Sequence, residues 1–216
     1  MNTDKQIYAV LSGDIVNSSQ LQPKDVKVVM QRLRDGADKF EAVFPRSVFG
    51  KLDVFSGDGW QLVMKRYELS LRTALFLRAE VMRDEKLKID TRVAVAWGTV
   101  DVDTMNPERV SESTGAAFTE SGRLLKDMPK RSRLLLRTDK SLSDTPFLMS
   151  TVLLLDEMAA HWTPRQADTL ALALLNHTQE EIADKRGKSQ PTVHQALQTS
   201  GWRGIEEFLK VVEYRL

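Results

Sequence analysis

A chain of 216 residues has room for one ordinary domain with a smaller one beside it. Its 42% hydrophobic and 28% charged residues are usual for a globular protein in water, and the absence of cysteine excludes disulfides and thiolate metal sites. Lys and Arg number 31 against 30 Asp and Glu, so a formal charge of +1 excludes bulk attraction to nucleic acid; any basic binding surface must be local.

The N-terminal run "MNTDKQIYAVLSGD" is too briefly apolar for a signal peptide, and no stretch approaches the ~20 apolar residues that span a bilayer. A cytoplasmic protein with no membrane partner is expected. "IYAVLS" (Ile7 to Ser12), followed by Gly13-Asp14, reads as a buried strand. Pro23 opens an amphipathic helix in which Val26, Val29, Met30, Leu33, Ala37 and Phe40 recur at helical spacing, and Pro45 stops it. "SVFGKLDVFSGDGWQLVM" reads as two strands about a Gly-Asp-Gly turn. Glu68 to Met82 is a second helix. "KIDTRVAVAWGTVDVD", with Gly98 in its middle, predicts another hairpin. A third helix, "STGAAFTESGRLLKDM", and a last strand, "SRLLLRT", follow.

The order predicts an α+β fold of the ferredoxin-like βαββαβ type, an antiparallel sheet with its helices on one face. From about Leu153 strand-like alternation disappears and short helices succeed one another. A boundary is expected within 145–158, giving an N-terminal domain of residues 1–150 and a small all-α domain of residues 151–216.

The tripeptide Ser-Gly-Asp occurs twice, as Ser12-Gly13-Asp14 and Ser56-Gly57-Asp58. Both read as turns after strands, and Asp and Gly serve turns for local reasons alone. In a βαββαβ sheet, however, the first strand is central, beside the strand leading into that hairpin. Asp14 and Asp58 are therefore expected to meet at one sheet edge, with the Ile15 carbonyl between them. Such an oxygen-rich site suits Mg²⁺, which takes one or two carboxylates plus substrate phosphates. Gly13, Gly57 and Gly59 would let backbone and phosphate approach closely.

These stretches carry a resemblance. "SGDIVNSSQL" and "FSGDGWQLVM" resemble the two metal motifs of class III nucleotidyl cyclases. "TRVAVAWGTVDV" is similar to that family's strand ending in a Gly-containing turn, and "STGAAFTESGRLL" to its helix of transition-state residues. The likeness runs over about residues 5–137, and the N-terminal part also resembles the SatD-like proteins. It implies Mg²⁺ or Mn²⁺ held by Asp14, Ile15 and Asp58, with Gly57, Gly59 and Glu112 near a nucleoside triphosphate or cyclic nucleotide. It makes Arg123, eight residues after Gly115, the phosphate-stabilising arginine, and Thr119 stands where the family has asparagine. Val54 replaces the base-reading lysine. The resemblance further implies a homodimer, with Arg123 of one chain facing the acidic pair of the other.

"HTQEEIADKRGKSQPTVHQAL" (His177 to Leu197) has helix-turn-helix spacing. Thr178 and Glu181 form a capping box, Gly187 makes the turn, Ser189 caps the next helix and Pro191 sits in its first turn. Val193 and Leu197 are its buried edge. The wording resembles helix-turn-helix regulators close to sigma-factor region 4, which implies double-stranded DNA as a partner. Ser189, Gln190, Thr192, His194 and Gln195 are the candidate base readers. Lys185, Arg186, Lys188 and Arg203 are the candidate phosphate contacts.

Two functions remain. One is a DNA-binding transcriptional regulator whose cyclase-like domain senses a nucleotide with a divalent metal. The other is an active nucleotidyl cyclase or related nucleotidyltransferase. The changes at Thr119 and Val54 favour the regulator; Asp14, Asp58 and Arg123 keep the enzyme open. A bare dimerisation platform would leave the acidic pair unexplained.

Overall fold

The computed structural model describes residues 6–138 and 145–215. The expectation concerning the first five residues lies outside them. The strands are β1 (Tyr8–Ile15), β2 (Val48–Val54), β3 (Gly59–Met64), β4 (Thr91–Gly98) and β5 (Leu134–Thr138). With them run α1 (Pro23–Val43), α2 (Ser70–Met82) and α3 (Ala116–Lys126). Five helices follow: α4 (Thr145–Ala160), α5 (Pro164–Leu174), α6 (Gln179–Arg186), α7 (Gln190–Thr199) and α8 (Trp202–Arg215).

The fold is mixed α+β, built on a five-stranded sheet in the order β2-β3-β1-β4-β5. Its first four strands are antiparallel and follow the expected βαββαβ connection; β5 joins β4 in parallel after the α3 crossover. Alternation in β1 sorts the two faces. Ala9 and Leu11 enter the large core with Leu33 and Phe40 of α1 and Leu75 and Phe76 of α2. Tyr8 and Val10 instead pack with Val63, Val110 and the α3 residues Ala117 and Phe118. The helices therefore cover both faces, not one as expected, because α3 has its own apolar edge.

Three further expectations are corrected. Ser12-Gly13-Asp14 is not a turn: it lies inside β1, paired to β3 on one side and β4 on the other. A Cβ on Gly13 would stand 2.3 Å from the Trp60 ring, so the glycine makes room for that indole. The strand beside β1 is β3, which leaves the Ser-Gly-Asp turn, not β2, which enters it. The hairpin expected about Gly98 is a single strand. Gly98 stands opposite Tyr8, where β1 begins, and the backbone beyond it bonds instead to the approach to α3 (Asp101 N to Thr114 O, Ala117 N to Thr99 O).

The residue expected to end the first domain, Ser150, falls inside α4. One hydrophobic cluster runs from the sheet through α1 and α2 into Val152, Leu155, Leu170, Leu174, Leu197 and Leu209. Ion pairs reinforce that junction. The fully buried Arg78 of α2 meets Asp90 and, on α4, Asp156, each at 2.8 Å. Arg72 of α2 binds Glu213 of α8 through two hydrogen bonds of 2.6 and 2.9 Å. Apolar contact and paired charge thus join the C-terminal helices to the sheet layer. Among the described residues no helix is long and apolar enough to cross a membrane.

Candidate functional site

Asp14 and Asp58 line one cavity of about 440 Å³, together with Ile15, Asn17, Ser18, Arg92, Lys130 and Arg133. The strand register explains the meeting. Asp14 pairs with Gly59, and the same register continued by one residue sets Ile15 opposite Asp58. Asp58 closes the β2–β3 turn, where Gly57 has a φ of +73°, a value that favours glycine. Its carboxylate accepts a short hydrogen bond from the Ser18 hydroxyl, which ties the turn to the segment leaving β1.

Asp14 is held more firmly than the sequence suggested. On the other side of β1 it pairs with Arg92, and the guanidinium grips both carboxylate oxygens: Nε to Oδ1 at 2.8 Å, and Nη2 to Oδ2. Hydrogen bonding to Asp14, with the charges of Asp14 and Asp58, raises Arg92 above the ordinary arginine pKa although burial opposes it. The Thr91 hydroxyl donates to the Asp14 carbonyl at 2.6 Å and accepts from Trp60 Nε1 at 3.0 Å. Trp60 thus helps to fix the backbone at Asp14, and Gly13 gives it room.

The donors suit a hard cation in type, since two carboxylates and a carbonyl are all oxygen. They are few. No group of three or more His, Cys, Asp or Glu fit to hold a metal occurs among the described residues. Arg92 already occupies both Asp14 oxygens. A cation therefore fits here with phosphate oxygens completing its shell, and it must share Asp14 or displace Arg92.

Other predicted site residues lie apart. Thr119 donates to the Gly115 carbonyl at 3.2 Å, Arg123 pairs with Glu120 at 2.7 Å, and Glu112 pairs with Arg109 at 3.0 Å. None of the three lines the cavity. Gly57 and Gly59 flank Asp58 without lining it. The cavity's cations, Arg92, Lys130 and Arg133, escaped the sequence reading. Signals existed: Arg92 is the one charge in "TRVAVAWG", and Lys130 and Arg133 belong to the basic run "KRSR" before β5.

At the far end of the chain the local chemistry is as expected. The Thr178–Glu181 capping box forms, Gly187 adopts a φ of +58°, and the Ser189 side chain caps α7. Val193 and Leu197 are buried, whereas Lys188, Ser189, Gln190, Thr192, His194, Gln195 and Arg203 are exposed. One expected phosphate contact changes: Arg186 is paired with Asp168 at 2.7 Å, so its charge is already neutralised.

No protein-family model matches the chain, and no curated protein matches it in sequence. Among solved structures it is similar to the crystal structure of a guanylyl cyclase, at 15% identity and a TM-score of 0.44, covering 63% of this chain and 77% of that one. Two structures of bacterial light-regulated adenylyl cyclases are similar at 16% identity, with TM-scores of 0.41 and 0.42. They cover 62% and 61% of this chain but 44% and 43% of their own.

Proposed function

We propose that the chain is a nucleotide-responsive transcriptional regulator: its sheet binds a nucleoside triphosphate with Mg²⁺ or Mn²⁺, and its α6–α7 segment binds double-stranded DNA. The observation carrying the first half is the composition of the cavity at Asp14. Two carboxylates share it with Lys130 and Arg133, for which no carboxylate lies at ion-pair distance among the described residues. Acidic groups and cations without a carboxylate partner, the Arg133 guanidinium being bonded only to the Lys130 and Ser132 carbonyls among the described residues, suit a ligand that brings both a metal and anionic oxygens.

In this reading Asp14, Asp58 and the Ile15 carbonyl hold the metal, which neutralises phosphate charge. Lys130 and Arg133 bind phosphate oxygens directly. Arg92 keeps the Asp14 carboxylate oriented until the complex arrives. The second half rests on α7, whose exposed N-terminal end carries Gln190, Thr192, His194 and Gln195 over a buried Val193–Leu197 edge. Lys188 and Arg203, both exposed, would meet phosphates.

The carboxylate pair also favours a second reading, an active nucleotidyl cyclase. It needs Arg123 and Thr119, which line no part of this cavity, to be delivered by a second chain. Incubation with each nucleoside triphosphate and Mg²⁺ or Mn²⁺, followed by mass spectrometry and thermal unfolding, separates the two. The regulator is stabilised by a nucleotide and makes no product, stability rising as RT ln(1 + [L]/Kd). A cyclic or linear product establishes the enzyme instead. Neither product nor stabilisation ends both readings.

A further inference from the structure

We propose that the organic end of the nucleotide lies in a second cavity, between the segment that joins β1 to α1 and the α4–α5 turn, so that the C-terminal helices build part of the nucleotide site. The proposal rests on the nucleotide reading above and says where the rest of that ligand goes.

The cavity measures about 520 Å³ and adjoins the one at the carboxylates, sharing Val16, Asn17 and Arg133 with it. That size suits a small organic ligand. Its apolar lining comes from Leu21, Met82, Leu87, Ile89 and Trp162. Its charged residues are Lys88, Arg131, Arg133 and Asp90, and Asp90 is already committed to Arg78. Adding Lys130 from the neighbouring cavity, four cations border one continuous depression. None of the four has a carboxylate at ion-pair distance among the described residues. Uncompensated positive charge beside an apolar lining matches a ligand with a polyanionic end and a planar, weakly polar end. A nucleoside triphosphate has both.

Trp162 gives the pocket its aromatic surface and its link to the rest of the chain. Its indole is 6% exposed and is held by a hydrogen bond from Nε1 to the Ser200 carbonyl at 3.2 Å. Ser200 is the C-cap of α7. A base against Trp162 is therefore one side chain from the end of the helix that carries the candidate DNA readers. The carboxylates alone have no such connection to α7; this pocket supplies one.

Ala160 and Gln20 face this cavity from its two walls, are exposed, and do not line the cavity at Asp14. Ala160→Trp and Gln20→Trp would each fill the space without touching the carboxylates. Binding of Mn²⁺-tripolyphosphate and of each Mn²⁺-nucleoside triphosphate is measured by calorimetry on the full chain and both variants, with melting temperatures as a folding control. Tripolyphosphate should bind all three proteins alike. At least one nucleotide should bind the parent about tenfold more tightly than tripolyphosphate, the scale of one base stacked on an aromatic ring. Either variant should remove that advantage. Unchanged nucleotide affinity in both variants overturns the proposal, and so does an equal loss for both ligands. If neither ligand binds the parent chain, the nucleotide reading fails and this proposal with it.

Discussion

Replacing Arg78 with methionine tests whether the two halves of the chain are one structural unit. Arg78 is fully buried and makes three charged hydrogen bonds: to Asp90 Oδ1 at 3.2 Å, Asp90 Oδ2 at 2.8 Å and Asp156 Oδ1 at 2.8 Å. Burial alone would lower its pKa, but the charges and hydrogen bonds of Asp90 and Asp156 outweigh that, so it stays charged. Methionine keeps much of the volume and strands the carboxylates. Asp90 retains the Thr91 amide at 2.7 Å and some contact with water; Asp156, at 5% exposure, retains only the Arg133 amide at 2.9 Å among the described residues. Breaking one side of such a buried pair costs about 3–5 kcal/mol. For a chain of this length that lowers the melting temperature by roughly 6–20 °C. Urea unfolding followed by tryptophan fluorescence reads both regions, because Trp60 and Trp97 lie in the sheet and Trp162 and Trp202 among the C-terminal helices. A single transition should move as a whole. Adding Asp156→Leu should restore much of the loss, since an apolar replacement of both partners is often neutral. Two transitions with only one displaced, or a loss below about 1 kcal/mol, would refute the shared core.

Arg92→Met should strengthen Mn²⁺-dependent tripolyphosphate binding about tenfold by releasing Asp14 from a charge-assisted pair; weaker binding in calorimetry would mean that Arg92 grips the phosphate itself. Asp84 has its pKa raised by burial but lowered further by the Leu87 amide, Arg32 and the Lys86 amide, and it ends below 3.8. Its contribution is thus complete above the unfolded value and lost as pH falls through the lower folded one, so the melting-temperature gap to Asp84→Asn should be constant near neutrality and shrink below about pH 4. Gel-shift titrations should show Gln190→Ala costing on the order of 1–3 kcal/mol on a preferred DNA site and little on random DNA. Lys188→Ala should weaken both alike and flatten the salt slope by about one unit; no duplex binding at all would leave α7 to protein contacts. Light scattering at micromolar concentration should give a dimer mass with or without nucleotide, and a strictly monomeric mass would remove Arg123 from any shared site.

Local chemistry was the legible part of this sequence. Capping at Thr178 and Ser189, the turn at Gly187 and the wet face of α1 each depend on residues within a few positions, and each came out as read. The meeting of Asp14 and Asp58 was legible for a different reason: βαββαβ connectivity makes β1 central, and one register then decides which residues share its end. What stayed hidden was the partner across the next strand. Whether Arg92 faces Asp14 depends on the β1–β4 register, and sequence reasoning turned β4 into half of a hairpin, which moves that register out of reach. The C-terminal helices show the same limit. Their amphipathic faces announce burial without saying against what, so a change of texture near Leu153 read as a boundary although Arg72 and Arg78 sit in α2 with carboxylates waiting on α8 and α4. Arg72 and Arg78 are buried in a helix whose residues 70–81 are all buried, and these two cations mark the junction. A buried arginine requires an acid, and the acids nearest in sequence, Glu68, Glu80 and Asp84, are held by Arg66, Lys39, Arg83 and Arg32. The counter-charges had to come from elsewhere in the chain, and that requirement fastens the C-terminal helices to the layer that carries Asp14.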